Sequence, residues 1–205
     1  MQTFTPIEGE MMVKASRGAM ELFLKSRNFS KKMVGTYIDS INKSAGVFVT
    51  IYHYPTRTIR GSMGFPKAIG SIQEDLIDAS IAAAFEDSRF VQVSHLELEH
   101  MIIQVSLISE MEQLKGIAAT RKKSIVLGED GLYMEYGLHS GIVLPQTAIE
   151  YGYTKERMLE ELCIKTGVNK NYWMQRNVKV FKFKAQVFEE LEPSGTIVQI
   201  SNKIA

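Results

Sequence analysis

The stretch of this 205-residue chain with the most chemistry to offer is Arg60-Gly61-Ser62-Met63-Gly64. Two glycines three residues apart weaken an otherwise apolar, strand-like run, so they need a reason. They can supply a bulge, let another backbone approach closely, or turn N–H groups toward a ligand. Arg60 beside them brings a permanent forked cation suited to carboxylate or phosphate, and Ser62 adds a hydroxyl. A structural reading competes on equal terms: Arg60 paired with Glu86 or Asp87, and glycines that permit tight packing. The stretch is not a phosphate-binding P-loop, because GxxxxGK[ST] is absent.

Other candidates carry less. His95-Leu96-Glu97-Leu98-Glu99-His100 lacks the HExxH order of a zinc hydrolase and reads as a charged segment leading into a strand, so no metal site is expected. Cys163 shares an apolar stripe with Met158, Leu159 and Leu162 and reads as a small packed hydrophobe. His53 and His139 lie in or beside strands, where a hydrogen-bonded structural histidine is the commoner case. Arg121-Lys122-Lys123 and Lys179, Lys182 and Lys184 are basic, with Tyr172, Trp173, Phe181 and Phe183 nearby. Those phenylalanines alternate with Lys182 and Lys184, which makes them core and the lysines solvated. A net charge of +1 argues further against nucleic acid.

Composition sets the outer bounds. With 45% apolar and 23% charged residues the chain is an average globular sequence, not a disordered, collagenous or coiled-coil one. No apolar run approaches the length of a membrane span, and Met1–Gly9 lacks the build of a signal peptide. The single cysteine cannot form an internal disulfide and fits a cytoplasmic location.

The elements that must position these residues follow from pattern. Thr5-Pro6-Ile7-Glu8 is a capped helix start, with Ile7, Met11, Ala15, Ala19 and Leu22 as its apolar stripe and Arg17 on the solvated side. Gly46–Tyr52 reads as a strand covered on both faces. Ser71-Ile72-Gln73-Glu74 opens a second helix, whose alanines allow close approach. Met101–Leu107 alternates as a strand with one drier face, and Asp130-Gly131 signals a hairpin between Ile125–Leu127 and Leu132–Tyr136. Thr154 caps a helix that Gly167 ends. Phe181–Val187 is a last long strand, after which Ile197–Ile200 either pairs again or hangs free. Interspersed helices and frequent hairpins point to an α+β fold with mainly antiparallel sheets.

Gly46–Thr50, Arg60–Gly64, Ala82–Phe90, Val105–Leu107, Gly128–Leu132, Gly141–Gln146 and Leu162–Gly167, in this order and spacing, resemble the AMMECR domain (AMME chromosomal region protein) over about residues 8–190. The resemblance implies flanking helices on antiparallel sheets in two unequal lobes, with a cleft between them bordered by the RGxxG segment. Residues 191–205 would be a C-terminal tail. Related domains are fused to or associated with Memo-like and radical-SAM proteins, but the family has no established reaction. Its hallmark reads Leu-Arg-Gly-Cys-Ile-Gly, whereas this chain has Ile59, Arg60, Gly61, Ser62, Met63 and Gly64. A serine hydroxyl attacks only with a positioned base, and no GxSxG elbow accompanies Ser62.

The expected function is therefore the binding of a small anionic ligand, or an acidic group of a protein partner, in the cleft between the lobes by Arg60, Gly61, Ser62 and Gly64. Asp87 and Arg89 would hold the adjoining helix end in place. No cofactor is expected. One rival is a protein-interaction adaptor. The other is an enzyme linked to radical-SAM or Memo-type pathways, in which Ser62 is the catalytic candidate and His53, His139, Glu86 or Asp87 supplies the acid or base. Exposed aromatics and the apolar Ile197–Ile200 segment allow a homodimer without requiring one.

Overall fold

A computed structural model describes residues 3–35 and 38–200. The described residues divide into two compact units of unequal size, one within 3–108 together with Gln186–Ile200, the other Ser109–Ala185; of the expected tail, 201–205 lies outside the described residues. Helices and antiparallel strands make it an α+β protein.

In the first unit, α1 (Pro6–Lys25) starts as the sequence implies: the Thr5 hydroxyl accepts the Glu8 amide and the Glu8 carboxylate accepts the Thr5 amide. Its buried stripe runs through Met12, Val13, Ser16, Arg17, Ala19 and Met20, leaving Ile7 exposed. Arg17 is thus not on the solvated side. Its guanidinium forks onto Glu190 at 2.7 and 2.6 Å and donates to the carbonyls of Leu98 and Met101. Burial is tolerated because every arm of the cation finds an acceptor.

A short α2 (Lys32–Gly35) leads to β1 (Gly46–His53), which pairs antiparallel with β2 (Ile59–Phe65). After α3 (Ile72–Phe85), capped by Ser71 and Glu74, and one helical turn, α4 (His95–Leu98), comes β3 (Met101–Ile108), antiparallel to the other side of β1. Helices α1 and α3 pack on the sheet face that carries Val47, Val49, Ile51, Ile103, Val105 and Leu107, and this is the unit's dry core. The opposite face carries Phe48, Thr50, Tyr52, Gln104 and Ser106.

The second unit begins with β4 (Glu112–Gln113) and α5 (Ala118–Lys123). Strands β5 (Asp130–Tyr136) and β6 (His139–Val143) form a hairpin around Gly137 at φ +60°, followed by α6 (Pro145–Glu150) and α7 (Lys155–Lys165). The hairpin expected across Gly128–Gly131 does not form. The Asp130 carboxylate accepts the Val126 amide at 2.7 Å and folds that segment into a turn instead. Strand β7 (Val180–Glu190) pairs with β5 through its first half. Its second half belongs to the first unit and pairs with β8 (Ile197–Ile200), so that segment does return to the sheet. Cys163 is fully buried beside Leu159 and Leu162, and burial pushes its thiol pKa up, as befits a packing residue. No helix among the described residues is long and apolar enough to cross a membrane.

Candidate functional site

Strand β2 lies at the rim of the sheet, with β1 as its neighbour. Ile51 pairs with Gly61 and Tyr52 with Ile59, so Arg60 is the extra residue of a β-bulge. A bulge re-aims a side chain, and this one sends Arg60 toward the segment that follows α3. There Nε donates to Glu97 Oε1 at 3.2 Å, and Nη2 makes a long 3.5 Å contact with the Gln92 carbonyl. The guanidinium also sits 5.9 Å from the Phe90 ring centre, with Arg89 5.3 Å from the same ring. Arg60 is 5% exposed, and its Nη1 has no hydrogen-bond partner among the described residues.

The two glycines serve packing. A Cβ on Gly61 would come within 2.0 Å of the Ala83 carbonyl oxygen, so its absence lets the end of α3 settle on the strand. A Cβ on Gly64 would meet the Val47 carbonyl at 2.1 Å. Nor is the Ser62 amide open to a ligand: it donates to Asp87 Oδ2 at 2.9 Å. Asp87, just past the end of α3, also accepts from the Arg89 amide at 3.2 Å and from its guanidinium at 2.9 and 2.6 Å. Arg89 Nη2 in turn reaches the Ser62 carbonyl at 3.3 Å. Asp87 and Arg89 thus tie the helix end to the rim of the sheet. Burial alone would raise the Asp87 pKa, but the bonds from Arg89 and the Ser62 amide outweigh it and hold the carboxyl below its usual value. Glu97 shows the same balance: desolvation opposes ionisation, and Ser94 and Arg60 overcome it.

Ser62 projects from the face opposite the dry core, where its hydroxyl meets Thr50 at 2.9 Å. No histidine or carboxylate bonds that hydroxyl among the described residues. His53 alternates onto the other face of β1, His139 is in the second unit, Glu86 is exposed, and Asp87 takes the Ser62 amide rather than its hydroxyl. Register extends the polar row from Ser62 through Thr50 to Gln104, whose Nε2 donates to Glu189 at 2.5 Å. The sequence reading missed Thr50, Gln104 and Glu189 as partners in a row. The available signal was polar residues at alternate positions of apolar strands. Among the described residues no group of three His, Cys, Asp or Glu side chains could hold a metal ion.

Comparison with known proteins agrees with this architecture. A family profile described as AMMECR1 matches residues 13–188. The chain is 34% identical over 200 residues to protein MJ0810 of Methanocaldococcus jannaschii, covering 97% of this chain and 98% of that one. A protein of Thermococcus onnurineus is 36% identical over 192 residues, covering 92% and 93%. The crystal structure of the uncharacterized protein PH0010 from Pyrococcus horikoshii superposes with a TM-score of 0.90 at 34% identity, covering 97% of this chain and 98% of that one.

Proposed function

This chain belongs to the AMMECR1 family, and we propose from the geometry of β2 that it recognises a small anionic ligand, with Arg60 as the anchor. One observation carries this reading: a guanidinium 5% exposed with Nη1 unanswered among the described residues. A buried donor without an acceptor costs about 1–3 kcal/mol, and a carboxylate or phosphate oxygen would relieve that cost with a charge-assisted bond. Glu97, whose side chain is 37% exposed, engages only Nε, and Nη2 has no more than the long contact with the Gln92 carbonyl, so Nη1 is the arm left for a ligand. The Ser62–Thr50 pair shares one hydrogen bond between two hydroxyls, so one hydroxyl proton is left to donate. With its amide held by Asp87, Ser62 would take part through its hydroxyl.

The test uses inorganic phosphate and malonate as probes, followed by amide chemical shifts in the wild type and in Arg60→Gln. The wild type should bind one of them, and Arg60→Gln should weaken that binding about tenfold or more. Equal binding by the two proteins, or none by the wild type, overturns the reading. An adaptor role has one observation of its own: Val91 at 79% exposure adjoins the Gln92–Glu97 segment that touches Arg60, and Leu96 at 76% lies within it. Native mass spectrometry of gently purified protein separates the two, since a copurifying protein supports the adaptor and a small anion supports the recognition site.

A further inference from the structure

A second polar arrangement in the first unit takes up the far end of the row that starts at Ser62 and has a cation of its own, separate from Arg60. Glu189, in the second half of β7, is 2% exposed. Its oxygens accept a forked pair of bonds from Arg57, Nη1 to Oε1 at 2.7 Å and Nη2 to Oε2 at 2.9 Å. Gln104 donates to Oε2 as well, at 2.5 Å. The guanidinium carbon of Arg57 lies 5.0 Å from the centre of the Tyr52 ring. Carboxylate, amide and aromatic face thus converge on one planar cation, the contacts by which proteins hold guanidinium groups.

The receptor and its occupant have different origins. Gln104 at 1% exposure, Tyr52 at 3% and Glu189 are borne by neighbouring strands and locked by the sheet. Arg57 rides on the exposed turn between β1 and β2, and its side chain is 46% exposed. Its backbone takes φ +57°, a left-handed conformation that costs any residue with a branched or long side chain and that Gly or Asn would fill more easily. A turn needed only to reverse the chain gains nothing from arginine there. A carboxylate buried on a sheet face is, in contrast, costly without a cation.

We propose that Glu189, Gln104 and Tyr52 form a binding site for the guanidinium group of an external ligand, and that Arg57 is a built-in occupant which such a ligand displaces. The turn is an intramolecular competitor: it lowers the apparent affinity of the wild type by the fraction of molecules in which it is seated.

The test is a chemical-shift titration of the full chain with methylguanidinium at sub-denaturing concentration, using the wild type and Arg57→Asn, since asparagine tolerates the left-handed backbone. Arg57→Asn should bind at least about tenfold more tightly than the wild type, because the competitor is gone. Adding Glu189→Gln should abolish that binding, and tetramethylammonium, which has no N–H to donate, should not bind. A blocked peptide with a single arginine identifies the source: tighter binding than methylguanidinium marks a polypeptide partner, and equal binding a free small molecule. A folded Arg57→Asn protein that ignores methylguanidinium, or binding that Glu189→Gln leaves intact, overturns the proposal. Should Arg57→Asn fail to fold, the wild type decides. The Arg57 amide donates to the His53 carbonyl at 2.8 Å, and its hydrogen exchange should accelerate with added methylguanidinium. Unchanged exchange defeats the idea.

Discussion

The Asp87 carboxylate takes the Ser62 amide at 2.9 Å while its other oxygen holds the Arg89 backbone and side chain, so one residue joins the end of α3 to the rim strand β2. Asp87 is 7% exposed, and Asp87→Ala leaves the Ser62 amide without its acceptor. The expected loss is about 1–3 kcal/mol of unfolding free energy, read by urea denaturation. A loss near zero would show that water replaces the carboxylate.

The same residue sets an acid limb. Its folded pKa lies below the unfolded value of 3.8, so its contribution is fully present above that value and is lost as pH falls through the lower folded pKa. Asp87→Asn should therefore reduce the slope of stability against pH below about 4 and leave the slope between pH 6 and about 8 unchanged. Thermal unfolding across a pH series reads this directly.

Arg17 and Glu190 form the buried pair of the first unit, with side chains 9% and 2% exposed. Glu190→Gln strands a buried cation and should cost about 3–5 kcal/mol. The double change Arg17→Met with Glu190→Leu should recover most of that loss, as measured by the unfolding free energies of the three proteins. A double variant no better than the single one would mean that the Ile103 amide, which donates to Glu190 at 2.9 Å, depends on the carboxylate more than the arginine does.

Two glycines should respond oppositely to alanine. Gly61→Ala drives a methyl to 2.0 Å from the Ala83 carbonyl and should cost about 1–3 kcal/mol as α3 is pushed off the strand. Gly18, inside α1 with open space where its Cβ would be, should give a gain of about 0.5–1 kcal/mol. Equal effects at the two positions would contradict the packing described for Gly61.

The Ser62–Thr50 contact is expected to couple the two hydroxyls. Ser62→Ala and Thr50→Val together should cost less than the sum of the single changes, by about 0.5–1.5 kcal/mol, because the pair removes both partners at once. A double-mutant cycle reads the coupling, and strict additivity would place the hydroxyls with other partners.

The parts that were legible from residue order are those governed by local rules. Thr5 and Glu8, Ser71 and Glu74, and Thr154 with Gly167 mark helix ends through bonds only three or four residues long. Arg60–Gly64 stood out because glycines break a strand pattern. Partners distant in sequence did not follow from such rules. Arg60 was weighed against Glu86 and Asp87, yet the segment after α3 folds back and presents Glu97. Arg17 was read as solvated from its charge, although its spacing from Val13 and Met20 places it on the buried stripe. Its acceptor, Glu190, lies 173 residues further on, where no helical pattern could reveal it. The Asp130-Gly131 signal failed because the aspartate carboxylate bonds backwards to Val126 and builds a turn of its own.

The Asp87 and Arg89 grip on β2 also bears on self-association. An outermost strand ordinarily offers bare peptide groups on which a second molecule can template itself. Here the Ser62 N–H and C=O are already engaged by Asp87 and Arg89, midway along the strand. The clip takes the middle of this margin out of reach of a second molecule, so its loss would widen the stretch on which another copy could pair.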